Sequence, residues 1–392
     1  MNKLYNNNIE ITSKFKDFFK EINIPLSEYR HELLINTIFG VINSESSIIS
    51  DVTRNIKNIN LNIDDESLQR KIRRFFDSKF FNPYDIYDSI ITHVINNFKI
   101  KHKESLHISI DHSFCKDDFT TLMFTLRIGL QSIPIWFRCF SGTNDPEAFN
   151  SNLIVEGINY VYNLFKEKDC NIIFLADRWF PNVEVLEHIN SLNCTYVFRT
   201  KKEHKIRYYD KREKHYIWKS LGDFEHKKYV SKTFENIDYT FSNPIKTNII
   251  LVRTNGTDDP WILVTNGNVN KAVKHYSYRF GAIEFHFKNT KSNGFNLEKT
   301  KIKKLSAFTG ISLIVNIATL FLTILGADYC KNKGYYSKKS KIRDTKKTKS
   351  NNIIRVISLF NLRLTIFKKT YNSFINFKIK CNFILYDVWI TS

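Results

Sequence analysis

Two acids stand where acids are costly. Asp111 closes the run HISID and Asp177 closes IIFLAD, each at the end of a short segment rich in β-formers. A carboxylate at the end of an apolar strand loses solvation, so it needs a compensating partner or a metal. Taken singly, each also fits an ordinary cap or turn aspartate, because Asp is common in turns. If the two strands lie side by side, their carboxylates face each other, and like charges that close require a cation. A hard ion with oxygen ligands fits, and Mg²⁺ accepts a few carboxylates together with phosphate oxygens. A third acid, Glu284, lies in YSYRFGAIEFHFKNTKSNGFNLEKTKI. Lys288 and Lys291 follow it on one side of a helix expected to begin near Gly281. That face reads either as an intrahelical ion pair or as a metal ligand beside phosphate-binding lysines. His112 and Trp179, next to the two aspartates, are expected to support or pack around them rather than act as bases. Other chemistries lack their residues. The chain has no HExxH among its 11 histidines, no GxxxxGK[ST], and no CxxC pair among its six cysteines.

The elements that must position these acids follow from periodicity. Residues 1–100 read as a helical domain, with apolar residues at helical spacing in 12–21, 30–43, 66–77 and 84–98. Asp64 and Asp65 can cap the third of these, which carries Arg70, Lys71, Arg73 and Arg74. That basic face is either a phosphate-neutralising surface or a solvated one. From residue 105 the pattern turns to strands: LHISID, LMFTLRI and SIPIWFRCF. A helix over 147–166, a strand over 171–176, a helix over 182–191 and a strand over 195–199 follow. Three antiparallel strands and then αβαβ is a mixed α/β order. Residues 201–265 break that rhythm with charged and aromatic runs and read as a β-rich insertion; helical pattern returns over 281–330, within a second core segment at 266–330. Residues 307–327 are long and apolar enough to span a bilayer, but five Thr, Ser and Asn side chains interrupt them, which favours a buried core helix. Residues 331–350 read as a basic linker. From Asn351 an apolar stripe (Ile353, Ile357, Phe360, Leu364, Phe367, Tyr371, Phe374) recurs at heptad-like spacing, which predicts a helical, dimer-forming end to a 331–392 segment.

Lys and Arg number 59 against 39 Asp and Glu, a net charge of +20. A charge that large implies a polyanionic partner, with nucleic acid first and an anionic membrane surface second. The plainer alternative is the codon bias of an AT-rich genome, which also enriches Asn and Ile. The scattered cysteines and an N-terminus without an apolar signal core fit a reducing, cytoplasmic setting.

SIDHSF around Asp111, FLADRWF around Asp177, YVFR at 196–199, WILVTN at 261–266 and the run from Tyr276 to Leu297 recur in this order. Together they resemble the bacterial insertion-sequence transposases with a DDE domain, in the group marked by a Tyr-Arg-Glu-Lys signature. The resemblance covers about residues 30–330 and rests on the ordered set ending in YxxR…IExxFKxxKSxGFxLE. It implies an RNase H-like catalytic core and a catalytic triad of Asp111, Asp177 and Glu284 holding two Mg²⁺ ions, with Mn²⁺ able to substitute. It implies that Tyr276, Arg279 and Lys291 grip DNA phosphates. The partners implied are double-stranded DNA, both the element's terminal repeats and a target, and a second copy of the chain on that DNA; the setting is the bacterial nucleoid. An aromatic that holds a flipped base would be sought in the insertion at Trp218 or Trp261, although packing roles suit both. In one respect the chain departs from the pattern: four residues, Phe280 to Ile283, separate Arg279 from Glu284 where the family has three. A nuclease of the same core that cuts without joining, or a DNA-binding derivative without catalysis, are the alternatives.

Overall fold

The computed structural model describes residues 19–56, 63–98, 100–128, 131–225, 230–253, 259–292, 294–332, 343–348 and 351–356, with side chains described as far as Ile324. Four helices come first: α1 (Glu28–Ser44), α2 (Ile49–Ile56), α3 (Asp65–Phe76) and α4 (Pro83–Asn96). Their starts are written in the sequence. Asp64 accepts a hydrogen bond from the Ser67 amide at 2.9 Å and opens α3. Asn82 caps α4, with Pro83 in the first turn, where a missing N–H costs nothing. α3 buries Leu68, Ile72, Phe75 and Phe76, so Arg70, Arg73 and Arg74 are left on its solvent side.

A mixed, mostly antiparallel sheet of ten strands forms the centre, in the order β3-β2-β1-β4-β5-β10-β9-β8-β6-β7. Its strands are β1 (Glu104–Cys115), β2 (Phe119–Ile128), β3 (Gln131–Ser141), β4 (Cys170–Ala176), β5 (Thr195–Arg199), β6 (Lys205–Asp210), β7 (His215–Ser220), β8 (Lys232–Tyr239), β9 (Ile245–Val252) and β10 (Trp261–Thr265). Only the β1–β4 and β4–β5 pairs are parallel. Those connections need crossovers, and α5 (Ser151–Phe165) and α6 (Val183–Ser191) supply them. The 201–265 stretch is rich in strands, as expected, and those strands join the same sheet. Its last strand, β10, pairs antiparallel with β5, and β6 to β9 extend the same sheet outward.

The two faces of the sheet are covered differently. The main core gathers Ile108 and Ile110 of β1, Phe174 and Ala176 of β4, and the apolar sides of α1 to α6. A smaller core, Ile173, Leu175, Val197, Ile250, Trp261 and Leu263, is capped by α7 (Val269–Phe280) through Val269, Ala272 and Tyr276. The sequence pattern placed helix only from about 281. α7 starts earlier because Asn268 accepts from the Asn270 amide, and its apolar residues are few and separated by polar ones. α8 (Ile283–Lys291) follows after a two-residue turn.

The apolar segment is α9 (Leu305–Asn332). Its stretch Leu305–Ile324 has a mean hydropathy of 2.0 and is buried from Phe308 on, packed against β3, α1, α3 and α4. The fit is close at Gly310, where an added Cβ would meet the Phe76 ring at 2.4 Å. Thr309, Thr319 and Thr323 return their hydroxyls to carbonyls one turn back, so a buried helix tolerates them. Residues 343–348 and 351–356 depart from expectation. Instead of ending a linker and opening a helical stripe they form an antiparallel pair, β11 (Arg343–Thr348) with β12 (Asn351–Val356). Thr345, Thr348, Ile353, Ile354 and Val356 are β-branched, and here that preference outweighs the spacing of the stripe. The remainder of the stripe, from Ile357 on, lies outside the described residues.

Candidate active site

Register places the two aspartates. Ile110 and Ala176 are partners across the parallel β1–β4 pair, so Asp111 and Asp177 are the next residues on neighbouring strands, which lie about 4.8 Å apart in any sheet. Side chains alternate along a strand. Ile108 and Ile110 enter the main core, so His107 and Asp111 point the other way; His107 Nε2 lies 2.8 Å from His275 Nδ1 of α7. Ile173 and Leu175 belong to the smaller core under α7, and Asp177 shares their parity. Both acids therefore face the side covered by α7 and α8.

Glu284 reaches the same place from the first turn of α8, where the helix dipole favours an anion. The four residues between Arg279 and Glu284 include the turn at Gly281 and Ala282 that joins the two helices. Arg279 stays in position. Its Nη2 donates to Asp111 Oδ2 at 2.6 Å, and its Nη1 stands 3.8 Å from Glu284 Oε1. The guanidinium is buried, with 6% of the side chain exposed, against 22% for Asp111 and 51% for Glu284.

Electrostatics ties the four groups together. Burial pushes the Asp111 carboxyl up to about 6; Arg279 opposes the rise, and the charges of Asp177 and Glu284 add to it. Burial also raises Glu284, with Arg279 opposing and Asp177 contributing. Burial works against the Arg279 charge, but Asp111, Tyr276, Asp177 and Glu284 together more than reverse it, and the guanidinium is held above its usual range. One buried cation is thus shared among three acids. Among the described residues, no three His, Cys, Asp or Glu side chains are drawn close enough to form a ready metal cluster. The donor set is nevertheless of the right kind for a hard divalent ion: carboxylate oxygens only, one of them poorly compensated. Tyr276 Oη and Arg279 Nε are buried without a hydrogen-bond partner among the described residues, which leaves polar valence unused at this face.

The other residues singled out from sequence divide. Tyr276 is fully buried, edge-on to Trp261 and Phe280, so its ring belongs to the smaller core. Lys288 is exposed. Lys291 is turned to Glu298 at 3.6 Å. Arg70 pairs with Glu66 one turn back at 3.0 Å on the solvent side of α3, and none of Arg70, Arg73 and Arg74 is in the acid cluster. Trp261 is 9% exposed and stacks on Phe280, a packing role. Trp218 is half-buried against Phe241. His112 packs as expected, stacked on Phe180 at 5.0 Å with Nε2 on the Ala148 carbonyl. Trp179 does not pack: it is 70% exposed.

Sequence reasoning gave no role to Arg178, Arg199 or Asp259. Asp259 Oδ2 accepts from Arg199 at 2.6 Å and from Arg178 at 3.3 Å, clamping the ends of β4 and β5 beside Asp177. Arg199 sits in the quoted YVFR, but its partner lies 60 residues away and is found only once β10 is known to pair with β5.

No family model matches the chain, and no curated protein does.

Proposed function

We propose that this chain is a DNA transposase of the DDE type, which cuts and joins DNA by in-line phosphoryl transfer at Asp111, Asp177 and Glu284. The observation that carries the reading is the meeting of three acids, far apart in sequence, on one face of the sheet around the buried Arg279. Two come from adjacent register positions on parallel strands and the third from a helix laid over them. The strand order β3-β2-β1-β4-β5, with β4 and β5 parallel to β1, supports an RNase H-like core. The ordered motifs quoted above support the transposase assignment within that core.

Each residue then has a task. Asp111, Asp177 and Glu284 would hold divalent ions, which when bound neutralise phosphate charge and favour an oxygen nucleophile at neutral pH. Glu284 is the accessible acid of the three, on the side from which a phosphodiester can approach. Arg279 keeps the acids together while they lack other compensation, and its buried Nε has no hydrogen-bond partner among the described residues. Lys288, one turn beyond Glu284 and exposed, offers a phosphate contact on the same helix. The exposed Arg70, Arg73 and Arg74 of α3 suit backbone contacts farther along a duplex, and the excess of basic residues makes binding strongly salt-dependent. A second copy of the chain on the paired ends completes the reading, as joining two ends requires.

The test is a strand-transfer assay with linear DNA bearing matched element ends, a circular target and Mg²⁺. The wild type should release the ends and join them to the target. Asp111→Ala should bind the ends and do neither. Cutting without joining would identify a nuclease, and persistence of cutting in Asp111→Ala would remove Asp111 from the chemistry.

A further inference from the structure

The face of the sheet that carries the acids is basic at its other end. One row before the Ile108–Leu126 pair stand His107 on β1 and Arg127 on β2, both turned away from the main core toward α7. His107 lies four residues from Asp111, about 13 Å at the rise of a strand. From above, α7 lays His275 and Tyr278 over the pair. His107 Nε2 is 2.8 Å from His275 Nδ1, and the His107 ring meets the Tyr278 ring edge-on at 4.7 Å. The Arg127 guanidinium carbon sits 3.8 Å from the centre of the Tyr278 ring, and Arg127 Nε is buried with no hydrogen-bond partner among the described residues. Lys271 and Lys274 stand exposed on the same helix.

The two ends of this face are compensated in opposite ways. Arg279 is surrounded by three acids. Around Arg127 the charged neighbours are basic. Burial pulls His107 down to about 3, helped by His275, Arg127 and Lys274. Burial, Lys271 and Lys274 lower His275. Burial lowers Arg127 as well; Tyr278 opposes it, and no carboxylate among the described residues does. A half-enclosed guanidinium beside two imidazoles and two ammonium groups, without a counter-charge, is unfavourable on its own, so the group suits an anion. Its donors describe the anion's shape. A guanidinium fork matches two oxygens of a phosphate. The His107–His275 pair, given one more proton, has an N–H on each outward nitrogen. Donors of three kinds converging on one place fit a tetrahedral ion with two charges better than a carboxylate with one.

We propose that Arg127, His107 and His275, with Lys274 at the rim, form a binding site for a phosphate dianion, either inorganic phosphate or the terminal phosphate of a nucleotide chain. The site is separate from the three acids and does not depend on what they catalyse. An ion held there ties α7 to β1 and β2, and α7 is the helix that carries Arg279.

The experiment uses the full chain with ¹³C-labelled histidines, titrated with inorganic phosphate at pH 7.5 and constant ionic strength, with chloride as the control. The His107 and His275 signals, assigned through His107→Gln and His275→Gln, should shift saturably toward the protonated form with phosphate and stay in place with chloride. Arg127→Gln should weaken phosphate about tenfold or more, the loss of one charged hydrogen bond. Lys274 is exposed, so Lys274→Ala should keep the wild-type melting temperature and still weaken phosphate about threefold. A short 5′-phosphorylated oligonucleotide and its 5′-hydroxyl counterpart then separate the sources. Displacement of phosphate by the first alone identifies a strand end, and displacement by neither identifies the free ion. Equal displacement by both would show that a backbone diester suffices and would overturn the proposal. So would histidine signals that chloride moves as far as phosphate does, or an affinity for phosphate that Arg127→Gln and Lys274→Ala leave unchanged.

Discussion

Strands β1 and β4 present two unlike faces. On one, Ile108, Ile110, Phe174 and Ala176 are sealed into the main core under the helices. On the other, His107, Asp111 and Asp177 look toward α7 and α8, where a small apolar cluster gives way to three acids and one buried arginine. The same backbone thus carries a face that holds the fold and a face that spends stability. Asp111 is largely enclosed, with its carboxyl pushed up to about 6, and Tyr276 Oη and Arg279 Nε lack partners among the described residues. Local cost concentrated on one side of otherwise well-packed strands is the pattern expected of a working site.

Substitutions on the two faces should therefore differ in kind. The largest loss of stability should come from the packed face. Phe174→Ala, at a fully buried ring, should cost about 3–5 kcal/mol in denaturant unfolding and lower activity only through loss of folded protein. A smaller loss is expected from Arg279→Gln, which strands the acids it compensates and should cost about 3 kcal/mol at neutral pH. This cost should shrink at pH 5, where the carboxyls take up protons. Phe174→Ala should show no such recovery, and if the two variants respond alike to pH the contrast between the faces is lost.

The smallest effect is the titration of Asp111 itself, followed in chelator. Its folded value of about 6 lies above the usual aspartate value of 3.8, so between these the folded state holds the proton more tightly than the unfolded state. Stability should therefore fall as pH rises from about 4 to about 6, then level off. The step should be about 1–2 kcal/mol once the group's remaining solvent contact is allowed for. Asp111→Asn should lack the step. A wild type whose stability rises through that window would contradict the burial argument.

Much of this was legible beforehand, for identifiable reasons. Asp111 and Asp177 end apolar runs, and three antiparallel strands followed by αβαβ bring their strands together. Helices α3 and α4 announce themselves by Asp64, Asn82 and Pro83. What escaped depends on pairings or orientations that no local pattern encodes. α7 is amphipathic only against the smaller core, so Val269, Ala272 and Tyr276 stand too sparsely to mark it. The joining of β10 to β5, and with it the Arg199–Asp259 contact, is a long-range pairing. In Arg178-Trp179-Phe180 nothing local says which aromatic turns inward; the stack of Phe180 on His112 decides it. In the pair β11 and β12, apolar spacing and β-branched composition pointed to different structures, and composition prevailed.

The central claim is that Asp111, Asp177 and Glu284 act as one ligand set, and the most direct test is calorimetric titration of Mn²⁺ at pH 7.5 into the wild type, Asp111→Asn, Asp177→Asn and Glu284→Gln. The account predicts saturable binding to the wild type and a loss of about tenfold or more in affinity for each variant, because every ligand contributes to the same site. A wild type that takes up no ion, or binding that all three substitutions leave unchanged, would contradict it.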